Sequence, residues 1–190
     1  MNFITAWDLS VLDYIAEHFK CGFLDVFMRI VTLFGEGGIF WIAVAVIFLF
    51  IPKHRKTGLM MGAAMLLGLI VGNGIMKNLI GRTRPYDMPG VSIELLINKL
   101  SDFSFPSGHT LVCFEAATVL TVRKNKLAVP AIVIAVLVAL SRLYLYVHYP
   151  TDVICGALLG IAFGICGTVI VNAIWNAAAK KRQTDGAQKQ

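Results

Sequence analysis

The sequence predicts an all-α protein: a polytopic membrane helical bundle with five to six transmembrane helices and an amphipathic N-terminal helix. Hydrophobic residues make up 57% of its 190 residues, against roughly 45–50% in soluble proteins. Several apolar runs approach or exceed the roughly 18 residues that mark a membrane span. A soluble all-α protein with deeply buried helices is the alternative, and hydropathy argues against it.

The first 36 residues (1–36) are predicted to form an amphipathic, interfacial segment. Within residues 4–19 apolar side chains recur at steps of three and four, and Trp7 among them suits an interfacial depth. This helix either binds the membrane surface or caps the bundle. A second apolar stretch, residues 22–35, either lies along the interface or enters the membrane, so the amino terminus is assigned to no side.

A transmembrane domain is expected at residues 37–178, followed by a basic polar tail at residues 179–190. Its spans are predicted at 37–51, 58–80, 107–122, 127–147 and 152–177. Glycines recur at four-residue steps in two of these spans, at Gly68 and Gly72 and at Gly156, Gly160 and Gly164. Small residues at this spacing let helices approach closely in lipid. We expect them to pack the bundle rather than a dimer interface, and the oligomeric state is left open.

The basic residues predict the orientation of the chain. Nine of the 17 Lys and Arg lie in three segments beside apolar runs: Lys53, Arg55 and Lys56; Arg123, Lys124 and Lys126; Lys180, Lys181 and Arg182. Cytoplasmic loops carry such an excess. If the loop at 52–57 is cytoplasmic, alternation places all three basic segments inside and the connections at 81–106 and 141–152 outside. We therefore expect a multi-pass protein of the cytoplasmic membrane with a cytoplasmic C-terminus.

Charge and cysteine content argue against other classes of function. The net charge of +6 is not arranged as the aromatic-interleaved basic stripe that binds single strands, so no nucleic-acid partner is expected. The four cysteines, Cys21, Cys113, Cys155 and Cys166, show neither Cys-x-x-Cys spacing nor companion histidines. We therefore predict no disulfide and no metal site.

Three polar clusters interrupt the apolar sequence, and the predicted topology places all of them on the outer side. They are Lys77-x6-Arg84-Pro85, Pro106-Ser107-Gly108-His109 and Ser141-Arg142-x5-His148-x3-Asp152. Together they supply two imidazoles, a carboxylate, three cations and a hydroxyl beside a glycine. Such a set can hold a phosphate, attack it and protonate its leaving group.

In the third cluster, His148 and Asp152 are four residues apart and share a face if the stretch is helical. A hydrogen bond from the imidazole to the carboxylate would fix the tautomer and leave the other ring nitrogen free to attack. Arg142, near the outer end of a span, can bind phosphate oxygens through two donors. The alternative is an interfacial arginine and histidine that extend to the membrane surface.

The second cluster opens a span, where unpaired backbone N–H groups and the helix dipole favour an anion. Ser107 is predicted to cap the helix and bind phosphate, Gly108 to let the backbone approach it, and His109 to donate a proton. A simple helix cap is the alternative, although it needs no histidine. In the first cluster, Lys77 is costly in hydrocarbon unless it faces a polar cavity or an anion, and Arg84 lies nearby.

Three further features have a structural interpretation or more than one. Arg82 lies near the first cluster, where it could have an interfacial role only. Glu115 lies in mid-span six residues beyond His109, off its helix face, and is expected to be hydrogen-bonded structurally rather than catalytic. Residues 91–101 form either a lid or interfacial helix that helps a lipid enter, or an ordinary loop.

The three clusters resemble, at every defining position and in order, the signature of the type-2 phosphatidate phosphatase superfamily, also called lipid phosphate phosphatases. Soluble acid phosphatases and vanadium haloperoxidases of related fold carry the same signature. The motifs cover residues 77–152, and the span pattern extends the resemblance to about 37–177. The resemblance implies that His148 is the nucleophile that forms a phosphohistidine, that Asp152 orients it, and that His109 is the general acid.

The resemblance also implies a phosphate-binding cradle, consisting of Lys77, Arg84, Ser107, Gly108 and Arg142. The family needs no metal, and no cofactor is expected. The implied function is that of an integral membrane phosphatase whose partners are the bilayer and a membrane lipid, with its site on the extracytoplasmic face.

Among substrates, undecaprenyl diphosphate is favoured, because the short chain and outward site resemble bacterial undecaprenyl-diphosphate phosphatases. Phosphatidylglycerophosphate and phosphatidate follow closely. Two alternatives use the same residues: a non-catalytic binder or transporter of lipid phosphates, and an enzyme that transfers the phosphoryl group to another lipid. The pair His109 and His148 separates catalysis from binding, because binding needs cations but neither a nucleophile nor a proton donor.

Overall fold

The computed structural model describes residues 3–187, and every regular element in that range is helical. The α-helices are α1 (Phe3–His18), α2 (Gly22–Thr32), α3 (Ile39–Phe50), α4 (Arg55–Leu67), α5 (Lys77–Ile80), α6 (Gly108–Val122), α7 (Ala128–Tyr144) and α8 (Pro150–Ala187). Tighter 3-10 turns occupy Leu33–Gly38 and Pro85–Asp87, and a π-helix occupies Gly68–Met76. The predicted all-α fold class is confirmed.

Within residues 3–187, three helical runs are long and apolar enough to cross a membrane: Gly22–Phe50, Arg55–Asp87 and Pro150–Arg182. The helices Gly108–Val122 and Ala128–Tyr144 are shorter and also apolar. Many large apolar side chains point outward from the bundle, as at Phe50, which is 80% exposed. Such surfaces belong in lipid, where helices satisfy their own backbone hydrogen bonds. The chain is a membrane protein.

The stretch at 22–35 joins the following span through a kinked turn. α2 runs directly into the 3-10 turn at Leu33–Gly38. At the end of this turn, Gly37 and Gly38 adopt the left-handed backbone conformation, with φ values of +54° and +68°. Glycine tolerates this left-handed region because it has no Cβ. A left-handed glycine also ends α5, within the second long run: Gly81 has a φ of +57° and caps this helix.

The predicted segments at the two ends of the chain extend slightly beyond the described residues. Residues 1–2 of the predicted interfacial segment and residues 188–190 of the predicted tail lie outside the described range. The rest of that tail, residues 179–187, continues α8 as helix. α1 packs on the bundle as a cap, since Asp8 and Leu12 are fully buried while Phe3 is 86% exposed.

The glycines of α8 pack against α6, which lies at the centre of the bundle. A Cβ added at Gly160 would lie 2.5 Å from the carbonyl oxygen of Leu111, and one at Gly156 would lie 2.8 Å from that of Ser107. Gly72 faces Leu111 from the π-helix in the same manner. The prediction that these glycines pack the bundle agrees with these contacts.

The three basic segments meet at one end of the bundle. Arg123 donates to Thr57 at 3.4 Å, and Asn125 and His54 lie 3.4 Å apart. Lys56 lies 5.7 Å from the ring centre of Trp175 in α8. The polar clusters therefore occupy the opposite end, as alternation of the spans predicts.

Replacing Gly160 by alanine should weaken the α6–α8 contact. The added methyl meets backbone rather than a flexible side chain, and overpacking of this kind costs roughly 1–3 kcal/mol. Gly62→Ala is the matched control, because a Cβ there meets nothing within 4 Å. Thermal unfolding in detergent should show a lower midpoint for Gly160→Ala alone; equal midpoints would contradict this packing.

Candidate active site

A cavity of about 1110 Å³ lies between α3, the α4–π-helix run and α6. Residues from all three clusters line one end of it: Lys77, Arg84, Gly108, His109 and His148. Deeper in the bundle, its walls are apolar side chains that include Val46, Leu59 and Leu66. The predicted convergence of the clusters is therefore present, and the polar end opens into an apolar cleft.

His148 lies in the turn between α7 and α8 rather than in a helix, because α8 begins only at Pro150. Its ring is buried, and Nε2 lies 3.3 Å from Nη1 of Arg84. Nδ1 lies 3.7 Å from Oδ2 of Asp152, longer than a hydrogen bond. The imidazole and the carboxylate are therefore adjacent, as the spacing predicts, but His148 precedes the helix, and a direct hydrogen bond between them stays a prediction. Ser104 is near both groups, with its hydroxyl 3.5 Å from Nδ1.

Asp152 is fully buried and receives donors from three segments of the chain. Ser104 Oγ donates to Oδ2 at 2.5 Å, the backbone N–H of Tyr149 donates to the same oxygen at 3.1 Å, and Arg82 Nη1 donates to Oδ1 at 2.5 Å. Burial lowers the pKa of His148 to about 3, an effect that outweighs the opposing influence of the Asp152 carboxylate. The imidazole is therefore neutral at physiological pH, as a nucleophile must be.

Lys77 and Arg84 are held by Asp102, an acid of the loop between α5 and α6 that the sequence analysis did not single out. Arg84 donates through Nη2 to the Asp102 carboxylate at 2.6 Å, through Nε to its backbone carbonyl at 2.8 Å and through Nη1 to the carbonyl of Val147 at 2.7 Å. Lys77 forms an ion pair with the same carboxylate. Burial alone would raise the pKa of Asp102, but the hydrogen bonds and charges of Lys77 and Arg84 lower it to about 2.

Arg142 is the most deeply buried cation of the three clusters, with 1% of its surface exposed. Nη1 donates to the hydroxyl of Thr32 at 2.5 Å. Nε and Nη2 have no hydrogen-bond partner among the residues that the structure describes. Buried donors of this kind are costly unless a ligand or water accepts from them. The two free donors fit an anion.

Ser107 occupies the N-cap position of α6 without capping it through its side chain. Its hydroxyl lies 2.9 Å from that of Thr110, so the predicted side-chain cap is wrong. Gly108 is in close contact with Asn73 of the π-helix, since a Cβ at this position would lie 2.8 Å from Oδ1 of the amide. The helix N-terminus here is closely packed, which explains why a glycine follows the serine.

His109 contacts an acid that the sequence analysis missed. Its Nε2 lies 3.1 Å from Oε2 of Glu36, which is on the 3-10 turn before α3. The two residues are 73 positions apart in the sequence. The surrounding Gly-Glu-Gly-Gly, an acid between glycines at the edge of a span, was the available signal.

Arg82 is structural rather than merely interfacial, so the limited role expected for it is wrong. Besides Asp152 it binds Asp8 of α1 through Nη2 at 2.6 Å, and its guanidinium stacks 3.8 Å from the ring centre of Tyr149. Asp8 also accepts from the hydroxyl and the backbone N–H of Thr151, at 2.6 and 3.0 Å. Arg82 therefore ties α1 to the start of α8.

Two further features can be compared with expectation. Oε1 of Glu115 has no hydrogen-bond partner within the described part of the chain, but the carboxyl as a whole is hydrogen-bonded to the backbone of Gly68, in line with the structural role expected for it. Residues 91–101 form an irregular loop without a helix, so the interfacial-helix alternative is wrong. Tyr86 anchors the end of this loop, because its hydroxyl accepts from the N–H of Leu100 at 3.0 Å.

The sequence of this bundle can be placed in a family. Residues 57–176, more than half of the chain, match the PAP2 superfamily. The chain belongs to this superfamily. Residues 3–187 contain no group of three or more His, Cys, Asp or Glu side chains placed to hold a metal ion.

Named relatives of this PAP2 chain act on different lipid phosphates. The chain is 35% identical over 121 residues to an undecaprenyl-diphosphatase of Sulfolobus acidocaldarius, an alignment that covers 63% of this chain and 58% of that protein. It is 36% identical over 135 residues to a decaprenylphosphoryl-5-phosphoribose phosphatase of Mycobacterium tuberculosis, covering 69% of this chain and 71% of that one. The chain thus spans less than two thirds of the archaeal relative.

Two solved membrane proteins have a similar fold. A transmembrane PAP2-type phosphatidylglycerolphosphate phosphatase from Bacillus subtilis has a TM-score of 0.73 and 26% identity, over 92% of this chain and 89% of that one. LpxE from Aquifex aeolicus has a TM-score of 0.76 and 27% identity, over 88% and 98%. The membrane PAP2 fold is therefore shared along most of the chain.

The buried His148 should not titrate in the physiological range. Because burial lowers its pKa to about 3, its ring should remain neutral between roughly pH 5 and 8, where a free histidine changes charge. Histidine NMR in detergent would measure this, with His148→Asn identifying the resonance by its loss. A titration of that resonance near the value of a free histidine would contradict the buried, neutral ring.

Removing the charge of Asp8 should loosen α1. Asp8→Asn leaves Arg82 with one acid partner and places an amide against donors, which costs about 2 kcal/mol or more. The thermal midpoint in detergent should fall and protease should cut α1 sooner. Glu17→Gln is the control on an exposed acid of the same helix. Unchanged stability of Asp8→Asn would contradict the role of this ion pair.

Proposed function

We propose that this PAP2 protein is an integral membrane phosphatase that removes phosphate from a lipid phosphate or diphosphate through a phosphohistidine intermediate. The observation that carries the proposal is the convergence of a neutral, buried His148 and of His109 on one cavity with Lys77 and Arg84. The apolar continuation of the cavity suits a lipid chain. The unpaired donors of Arg142 support anion binding behind these groups.

In the proposed reaction, Lys77, Arg84, Arg142 and the N-terminus of α6 at Ser107 and Gly108 hold the phosphoryl oxygens. Their positive charge stabilises the transition state. Nε2 of His148 forms a bond to phosphorus as the bond to the leaving oxygen breaks. His109 gives its proton to that oxygen.

In the second half, water attacks the phosphohistidine, the P–N bond breaks and the proton of the water returns to His109. Asp152 keeps the His148 turn in place through Ser104 and the backbone N–H of Tyr149. No step requires a metal ion or another cofactor.

Undecaprenyl diphosphate is the favoured substrate, with phosphatidylglycerophosphate and phosphatidate next. The undecaprenyl-diphosphatase among the relatives supports the first, and the phosphatidylglycerolphosphate phosphatase of similar fold supports the second. We place the site at the extracytoplasmic face of the cytoplasmic membrane and the C-terminus in the cytoplasm. The position of the basic segments at the opposite end of the bundle supports this orientation.

Loss of His148 should abolish turnover while leaving lipid binding in place. His148→Ala should reduce phosphate release by at least about a thousandfold, and His109→Ala by roughly 10²–10⁴-fold. His18→Ala, at the exposed end of α1, is the control. Phosphate release should be measured side by side from the three purified lipids, with acid-labile labelled phosphohistidine trapped in parallel. Wild-type turnover in His148→Ala, or tight lipid binding without a trapped intermediate, would contradict the proposal and favour a binder.

A further inference from the structure

The 3-10 turn at Leu33–Gly38 is shaped around the ring of His109. A Cβ added at Gly35 would lie 2.9 Å from both Cβ and Cδ2 of His109, closer than real Cβ contacts come. Gly37 and Gly38 adopt φ values of +54° and +68°, which other residues rarely do. Gly35 thus lets the backbone approach the histidine, while Gly37 and Gly38 supply the left-handed turn that follows. Glu36, between them, is the side chain of this turn that reaches His109.

Glu36 makes one polar contact to the imidazole and sits at the cavity wall. Its Oε2 lies 3.1 Å from Nε2 of His109, and 58% of its side chain is exposed against 14% for His109. An ionised carboxylate can only accept a hydrogen bond. The proton of this contact therefore resides on Nε2, the ring nitrogen that faces Glu36.

The other titratable groups whose charge would act on His109 include no acid. They are Arg142 from α7, Lys77 from α5, Arg84 from the loop after α5, and the ring of His148, which is neutral at physiological pH. The charges around His109 other than that of Glu36 are therefore positive. A protonated imidazole among these groups is destabilised by repulsion, and an opposite charge at hydrogen-bond distance offsets it.

The other acids near His109 form ion pairs with other residues or face away from its ring. Asp102 pairs with Lys77 and Arg84. Asp152 at the start of α8 pairs with Arg82. Glu115, on the same helix as His109, lies against the position where a side chain at Gly68 would be.

We propose that Glu36 is a positioning residue for His109, keeping the proton on Nε2 and stabilising the protonated ring until the leaving oxygen takes that proton. The inference rests on the proposed function, in which His109 is the general acid. As the P–O bond breaks, the N–H bond of Nε2 breaks and an O–H bond forms on the leaving group. The leaving oxygen then replaces Glu36 as the acceptor, and the exposed carboxylate turns away.

The test compares leaving groups that need a proton to different degrees. A lipid alkoxide leaves only when protonated, whereas p-nitrophenolate leaves without help. Glu36→Gln keeps the size of the side chain but loses its charge. It should lower kcat on phosphatidate in detergent micelles roughly 10- to 100-fold, and kcat on p-nitrophenyl phosphate less than about threefold. KM should change little for both.

The pH profile supplies a second readout that a structural role would not affect. The alkaline limb of kcat/KM for phosphatidate, where the acid loses its proton, should move to lower pH in Glu36→Gln. Glu36→Asp should recover part of the rate. Glu94→Gln, an exposed acid in the outer loop, is the matched control and should behave as wild type.

A double-mutant cycle links the effect to His109. If Glu36 acts through His109, then Glu36→Gln combined with His109→Gln should be no slower than His109→Gln alone. Gly35→Ala, which crowds the ring, should show the same dependence on leaving group. Gly22→Ala is its control, because a Cβ there meets nothing within 4 Å.

The possible failures are distinguishable. Equal losses on both phosphates, an unshifted alkaline limb, or multiplicative losses in the double variant would overturn the role of Glu36 and leave the phosphatase proposal intact. A wild-type protein that hydrolyses none of undecaprenyl diphosphate, phosphatidylglycerophosphate, phosphatidate and p-nitrophenyl phosphate would overturn both. Each variant is checked by its thermal midpoint in detergent, so that a folding defect is identified separately.

Discussion

The carboxylate of Asp152 is the point on which the arrangement of the site depends. It is fully buried, and a charge at such depth is tolerated only when donors surround it. Here the donors are Ser104 from the loop before α6, Tyr149 from the turn before α8, and Arg82 from the chain after α5. Arg82 extends the connection to Asp8 of α1. Four parts of the sequence are thereby held beside the buried histidine.

The packing of α6 is the second constraint, and it explains how the cations reach the same place. Glycines of α8 and of the π-helix let both neighbours approach the α6 backbone closely. Hydrogen bonds in a π-helix span five residues and widen the turn. This changes the rotational position of the residues that follow, and Lys77, the first of them, lines the cavity. π-Helical turns often occur at functional sites for this reason.

Much of the fold could be predicted from the sequence because membrane helices are recognisable from their apolar composition. The helical class and the glycine contacts of α8 follow from hydropathy and from small-residue spacing. The meeting of the clusters follows from alternation of the spans. The adjacent glycines Gly37 and Gly38 are also a local signal, because such a pair favours a kink. They do not predict the contact between Glu36 and His109.

What could not be predicted depends on contacts between distant residues. Ser104 reaches Asp152 across 48 positions and Arg82 reaches it across 70, and no local pattern encodes either pair. The helical arrangement expected for His148 and Asp152 failed for a different reason. Pro150 begins α8 between them, and a proline at a first helical position is a rule that could have been applied.

The pairing of Lys77 and Arg84 with Asp102 affects how any anion would associate with this protein. Both cations already have an internal counterion, so an arriving phosphate competes with a tethered carboxylate rather than with water alone. Part of the attraction between the phosphate and the two cations is offset by the loss of their ion pairs with Asp102. In the proposed reaction, the carboxylate can return to the cations when inorganic phosphate departs. It would thereby compete with the product and limit its retention.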